Sequence, residues 1–135
     1  MYSALVNNDG SSKHFAKTRH GEFTIDTEGK GSNPVDTVLA GLCGCIAHEV
    51  RDAMLRNKIK YTSFQVKAEA DSVADNSRLN SVTVTIDLQD THIGKEDAAA
   101  LITAAEGCKV RSTLNPVAPV SISLVANDKA CSQAI

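Results

Sequence analysis

Cys43, Cys45 and Cys108, with His48 and Glu49 close to the first two, are the side chains whose types and spacing could do chemistry in this 135-residue chain. Cys43 and Cys45 lie between Val38 and Ala47, a stretch in which every residue is apolar, Gly or Cys. Two positions apart on a helix, they point about 200° away from each other and cannot bridge there. Cys108 differs in setting, because it follows Gly107 and opens a new turn. Unpaired backbone N–H groups at such a position stabilise a thiolate, and Lys109 and Arg111 would add to the effect. The residues alone therefore suggest a buried thiol on a helix and an activated thiol at a helix start, which could form a redox pair. A free cysteine is equally a small core hydrophobe, and spacing does not separate the two readings.

A metal site is a competing use of the same residues. Cys43-x-Cys45-x-x-His48 offers three soft ligands, with Cys108 as a fourth. On a helix Cys45 and His48 share a face but Cys43 does not, so a tetrahedral site would require local unwinding. The spacing is neither the Cys-x2-Cys usual for zinc nor the Cys-x2-Cys-His of haem attachment. No metal and no cofactor is expected. His14, His20 and His92 are isolated and expected to be exposed, and Cys131 has no assigned role.

The elements that must position these groups can be read from pattern. Asn33 can cap a helix, Pro34 suits its first position and Asp36 adds charge to its first turn, so a long helix is expected from Pro34 to about Arg56. With no polar face from Val38 to Ala47, it should be the buried central helix, covered on several sides. Gly41 and Gly44 suggest close approach of another backbone or space kept open beside the cysteines. Upstream, residues 3–27 have the turns and short apolar runs of a β-meander. The Glu28–Ser32 lead is glycine-rich but fails the P-loop pattern, since Thr24 stands where a Gly is needed and Gly31 where Ser or Thr is needed. Downstream, Ser63–Asp71 and Ser81–Leu88 alternate apolar and polar residues, as a hairpin with one wet face does. Ala98–Glu106 is helix-forming and stops at Gly107. A short helical segment should follow from Cys108 to Leu114, then a last strand over about Val117–Val125 and a polar tail over Asn127–Ile135. The length fits one domain over 1–135.

Lys and Arg number 14 against 16 Asp and Glu, for a net charge of −2 with no long run of either sign, so nothing draws the chain to nucleic acid. Aromatics are 4% with no Trp, which leaves no stacking platform for bases. The longest apolar run is well short of the roughly 20 residues that span a bilayer, and Met1–Ala4 shows no leader pattern. No membrane association and a cytoplasmic location are expected.

Asn33-Pro34, the mainly small and apolar stretch after it, Gly44-Cys45, and later Cys108-x-Val110 ahead of a terminal strand resemble the OsmC/Ohr family of organic hydroperoxide reductases. The order of elements agrees with that family from about residue 14 to residue 125. The resemblance implies an α+β fold, with antiparallel sheets packed on a long central buried helix, built as an intertwined homodimer with active sites at the subunit interface. It assigns Cys45 as peroxidatic nucleophile and Cys108 as resolving thiol. It further implies an organic hydroperoxide substrate and a dithiol reductant, lipoyl-type or a small thiol. Family enzymes carry a Glu directly after Asn-Pro, where it orients an Arg toward the thiolate; here that position is Val35. Asp36 stands one position on, turned about 100° around the helix, as in the shorter YhfA-like branch, which this chain resembles more. Arg19 in the N-terminal hairpin is the candidate for the Arg, and Arg111 competes with it. The function so implied is thiol-dependent reduction of organic hydroperoxides. The alternative is a non-catalytic or redox-sensing member that binds a small apolar ligand at the dimer interface, for which Val35 is the main support.

Overall fold

The computed structural model of the chain describes residues 1–115, 121–126 and 129–134. Three strands open it, β1 (Ala4–Asn8), β2 (Lys13–Thr18) and β3 (Glu22–Asp26), joined as an antiparallel meander in the order β1-β2-β3. Asn8 closes the first turn. Its side-chain Oδ1 accepts the Gly10 N–H at 2.9 Å and its side-chain Nδ2 donates to the Ser11 carbonyl at 2.8 Å, while Gly10 takes φ +100°, a conformation that glycine adopts without a Cβ penalty.

The glycine-rich lead into the helix is organised by Asp26, which is almost fully covered. Its carboxylate accepts the Glu28 N–H at 2.9 Å and the Ser12 hydroxyl at 3.1 Å, and its own N–H donates to the Ser32 carbonyl at 3.0 Å. The Glu28 N–H outweighs burial and, with Ser12, keeps this carboxyl below its usual range. The loop thus closes on an anion of its own.

Helix α1 (Pro34–Arg56) starts with a complete capping box: the Asp36 N–H donates to Asn33 Oδ1 at 2.9 Å and the Asn33 N–H to Asp36 Oδ2 at 3.1 Å. Its inner stripe is Leu42, Ile46, Val50, Ala53 and Met54, all buried. The expectation of cover on several sides is not met within one chain. Val35 and Val38 are 43% and 46% exposed, and a Cβ built on Gly41 or Gly44 would meet nothing within 4 Å. The apolar sequence therefore exceeds what this chain's own sheets and helices cover. The helix ends with Lys58 at φ +54°, the Ile59 N–H returning to the Met54 carbonyl at 2.9 Å and the Lys58 N–H to Leu55 at 3.3 Å.

Strands β4 (Gln65–Ser72) and β5 (Leu79–Asp87) pair antiparallel with Val66 opposite Ile86 and Ala68 opposite Val84. These four side chains form the inner face and pack against the α1 core, while Lys67, Glu69, Thr83 and Thr85 face water. Helix α2 (Lys95–Glu106) lays Leu101 and Ala105 against α1 and stops at Gly107, after which α3 (Lys109–Leu114) begins. The last pair is β6 (Ser121–Ala126) with β7 (Lys129–Ala134), antiparallel, Leu124 opposite Cys131. This corrects the sequence reading twice. The start of the expected strand, residues 117–120, lies outside the described residues; the strand ends at Ala126, one residue later than expected, and most of the expected polar tail is a strand that β6 pairs with. His14 is also half-buried rather than exposed, its Nδ1 lying 3.4 Å from the Asn8 amide.

Leu42 and Ile46 are 4% and 2% exposed. Truncating either to Ala is expected to lower unfolding free energy by about 2–5 kcal/mol, as loss of core aliphatic volume does, measured as a shift of the urea midpoint at unchanged m-value.

Candidate active site

The break between α2 and α3 determines where Cys108 goes. Gly107 ends α2 with its N–H turned back to the Ala104 carbonyl at 3.1 Å, and a Cβ there would lie in contact with that carbonyl oxygen at 3.4 Å. The next residue, Cys108, is the N-cap of α3 and is 0% exposed. Its sulfur accepts the Arg111 N–H at 3.4 Å, doing for α3 what a Ser or Asp oxygen does at other caps. Cys108 belongs to the same buried cluster as Leu42, Ile46 and Leu101, and the half-buried Cys45 packs against that cluster from the middle of α1.

The two thiols meet. Burial pushes the Cys45 thiol up, but the Cys108 side-chain hydrogen bond and the backbone N–H groups of Val110 and Lys109 together outweigh it, with Glu49 opposing by its charge. The net effect holds Cys45 below the ordinary thiol range. Cys108 goes the other way: burial first, then its hydrogen bond to Cys45, push it up, against the N–H groups of Arg111 and Val110. The sequence-level expectation placed the activating helix start on Cys108, and here the structure reverses it. The first free N–H groups of α3 point at the facing thiol on α1, while Cys108, as the cap, is sealed beneath them.

The other candidates are distributed as follows. Asp36 spends its carboxylate on the Asn33 N–H in the capping box. Nine residues along the helix from Cys45, it stands about 13 Å away along the axis. Arg19, at the tip of the β2–β3 hairpin, has its guanidinium carbon 4.5 Å from the Tyr2 ring centroid and forms no ion pair with Asp36. The Lys109 ammonium lies 5.4 Å from that same ring, so the hairpin tip, the N-terminus and the α3 start converge. Arg111 is turned away, donating from Nη1 to the Glu106 carbonyl at 3.1 Å. His48 is exposed, Cys43 is half-buried on another side of α1, and Cys43, Cys45 and Cys108 are all free thiols. Among the described residues no group of three or more His, Cys, Asp and Glu side chains is arranged to hold a metal ion. Sequence reasoning missed Tyr2 altogether, and it expected the N–H groups of the helix start to favour the thiolate of Cys108, where they also act on Cys45 across from it. The only signal for the latter was that a helix start serves whatever lies in front of it.

A helix-start amide cluster aimed at a thiol on a long central helix, with a second thiol sealed beside it and antiparallel sheets around both, defines a two-thiol α+β protein. The family model described as OsmC-like protein matches residues 27–123, and the chain belongs to that family. Among solved structures it is similar to the OsmC like protein from Mycoplasma pneumoniae, with a TM-score of 0.76 at 15% identity over 87% of this chain and 89% of that one. It is also similar to an OsmC-like hydroperoxide resistance protein from Jannaschia sp. (TM-score 0.63, 20% identity, 98% and 97% covered). The organic hydroperoxide resistance protein OhrB of Bacillus subtilis is a third (0.58, 17% identity, 86% and 92% covered). At these identities the likeness carries the fold. No curated protein matches the sequence. Among the described residues no helix is long and apolar enough to cross a membrane.

The opposed shifts of the two thiols give a pH signature. Only an accessible thiolate is alkylated, so Cys45 should reach half its maximal rate with iodoacetamide below pH ~8.5, the value of a free thiol, while the fully covered Cys108 should stay unmodified in the folded protein. Cys108→Ala removes the strongest of the acidifying contacts and should move the Cys45 midpoint up. Glu49→Gln removes a repelling charge and should move it down. Site-resolved peptide mass mapping across pH reads all three.

Proposed function

We propose that the chain reduces organic hydroperoxides through the Cys45 thiolate, with Cys108 as resolving thiol. The observation that carries this reading is the packing of a half-buried Cys45 against the cluster that holds the fully covered Cys108, with the start of α3 beside both. The hydroperoxide resistance named for two of the structural neighbours supports it at family level. In the first step the Cys45 thiolate attacks one oxygen of R–O–O–H. The S–O bond forms as the O–O bond breaks, the alkoxide leaves and takes a proton to become the alcohol, and Cys45 is left as a sulfenic acid. Cys108 then displaces that oxygen as water and a disulfide forms. An external dithiol, lipoyl-type or small, restores both thiols and is itself oxidised to a disulfide. Of Val38, Leu42 and Ile46, only Val38 is open to a substrate, and the apolar flank it forms with Val35 favours alkyl hydroperoxides over hydrogen peroxide, since a polar oxidant gains little there. Asp36 and Arg19 are the acid and base expected to support the thiolate. As the two do not touch within one chain, their cooperation requires movement or a second copy.

The dimer is part of this reading. Bare apolar side chains support it: Leu5, Val6, Phe15, Phe23, Val35 and Val38 are each at least 43% exposed. A second copy covering them would also close over the Gly41–Gly44 side of α1. Sedimentation at micromolar concentration should give twice the chain mass; a monomer would count against it.

One observation favours the alternative of a non-catalytic or sensing protein. Val35 occupies the family's acid position, and the neighbouring Asp36 is engaged as a helix cap. Enzymatic assay separates the two. The catalytic reading expects thiol-dependent consumption of cumene hydroperoxide that Cys45→Ser abolishes. It also expects an intrachain Cys45–Cys108 disulfide in a Cys43→Ser, Cys131→Ser variant after one equivalent of oxidant. Turnover that Cys45→Ser leaves intact, or no turnover at all, would refute it.

A further inference from the structure

Tyr2 stands at the chain's beginning, 74% exposed, in a stretch with no core to fill, yet its ring is approached by two cations from separate parts of the fold. The Arg19 guanidinium carbon lies 4.5 Å from the ring centroid and the Lys109 ammonium 5.4 Å, both inside the range in which a ring quadrupole attracts a cation. Without the ring these two positive groups would repel each other. Lys109 is also the residue whose backbone N–H helps acidify Cys45, so its ammonium is held within one lysine side chain of the groups that surround the sulfur. The opposing charge at this sulfur is Glu49, one turn along α1. Arg111 adds little, being tied to the Glu106 carbonyl.

We propose that Tyr2 is a positioning residue for the thiol site: its ring gathers Arg19 and Lys109 beside the start of α3, giving the approach to Cys45 a positive rim that favours anionic reactants over neutral ones. This rests on Cys45 being the reacting thiolate. The rim acts through space on the incoming molecule, so it selects by charge and not by shape, and it weakens as salt screens it. It also explains why Arg19 need not touch the sulfur or Asp36 to matter.

The test compares alkylation of Cys45 by iodoacetate, which is anionic, with iodoacetamide, which is neutral, in the full-length protein at about 10 mM and about 0.5 M salt. The thiolate fraction cancels in the ratio of the two rates, so a change in Cys45 acidity alone leaves the ratio unmoved. Tyr2→Phe keeps the ring face and should keep the ratio. Tyr2→Leu should lower the low-salt ratio by about two- to fivefold, the size expected when one or two unit charges beside the site are released into solvent, and the difference should vanish at high salt. Arg19→Ala and Lys109→Ala should each give part of that loss. An unchanged ratio in Tyr2→Leu, or a Tyr2→Phe ratio as low as that of Tyr2→Leu, overturns the proposal. Failure of cumene hydroperoxide to oxidise Cys45 would instead overturn the peroxidase reading, because the alkylation ratio requires no turnover.

Discussion

A thiol set against an apolar core resists ionisation, because burial penalises the charged form, and the site of this protein depends on overcoming that penalty at Cys45 and leaving it in force at Cys108. The means are backbone groups. A short helix begins beside Cys45, and the N–H groups at its start, which have no partner inside the helix, favour the thiolate form of that thiol. Had α2 run on without the stop at Gly107, the amides of Lys109 and Val110 would have been consumed by intrahelical carbonyls and the core would hold two inert thiols.

The rest of the fold serves this meeting. The capping box at Asn33 and Asp36 fixes where α1 starts, and the stripe from Leu42 to Met54 fixes its rotation, so that Cys45 is held against the cluster containing Cys108 and Cys43 is turned elsewhere. The β4–β5 hairpin covers the stripe from one side and α2 from another. Asp26 holds the preceding loop in register by hydrogen bonds to Ser12 and Glu28. None of these touches sulfur, yet each sets a coordinate of the thiol pair.

Much of this was legible in the sequence because it is local. Asn33-Pro34 with Asp36 announces a helix start, the alternation from Val66 to Ala70 and from Val82 to Leu88 announces a hairpin, and Gly107 announces a stop. What was not legible is what depends on partners distant in sequence. Lys129–Ala134, rich in Lys, Ser, Gln and Ala, has little preference for a strand and is one because β6 lies beside it. The acidity of the two thiols was read backwards, since a helix start in sequence names its own cap and says nothing of the group it faces. The apolar run around Gly41 and Gly44 implied full cover, whereas one chain covers only the inner stripe. Nothing in the types or spacing of Tyr2, Arg19 and Lys109 linked them, because only the folded hairpin brings the first to the other two.

The hydrogen bonds that acidify Cys45 also bear on the energy of any bond it makes. They stabilise the anion and are lost when the sulfur enters a disulfide, so their whole contribution falls on the reduced side of the couple. A disulfide between Cys45 and Cys108 would therefore have a raised reduction potential compared with one between ordinary thiols. Such a bond is readily opened, suiting a group that must be recycled and ill suited to a permanent structural cross-link. On the peroxidase reading proposed above, the turn at Cys108 that favours the Cys45 thiolate would thereby also lower the reducing strength required of the molecule that restores it.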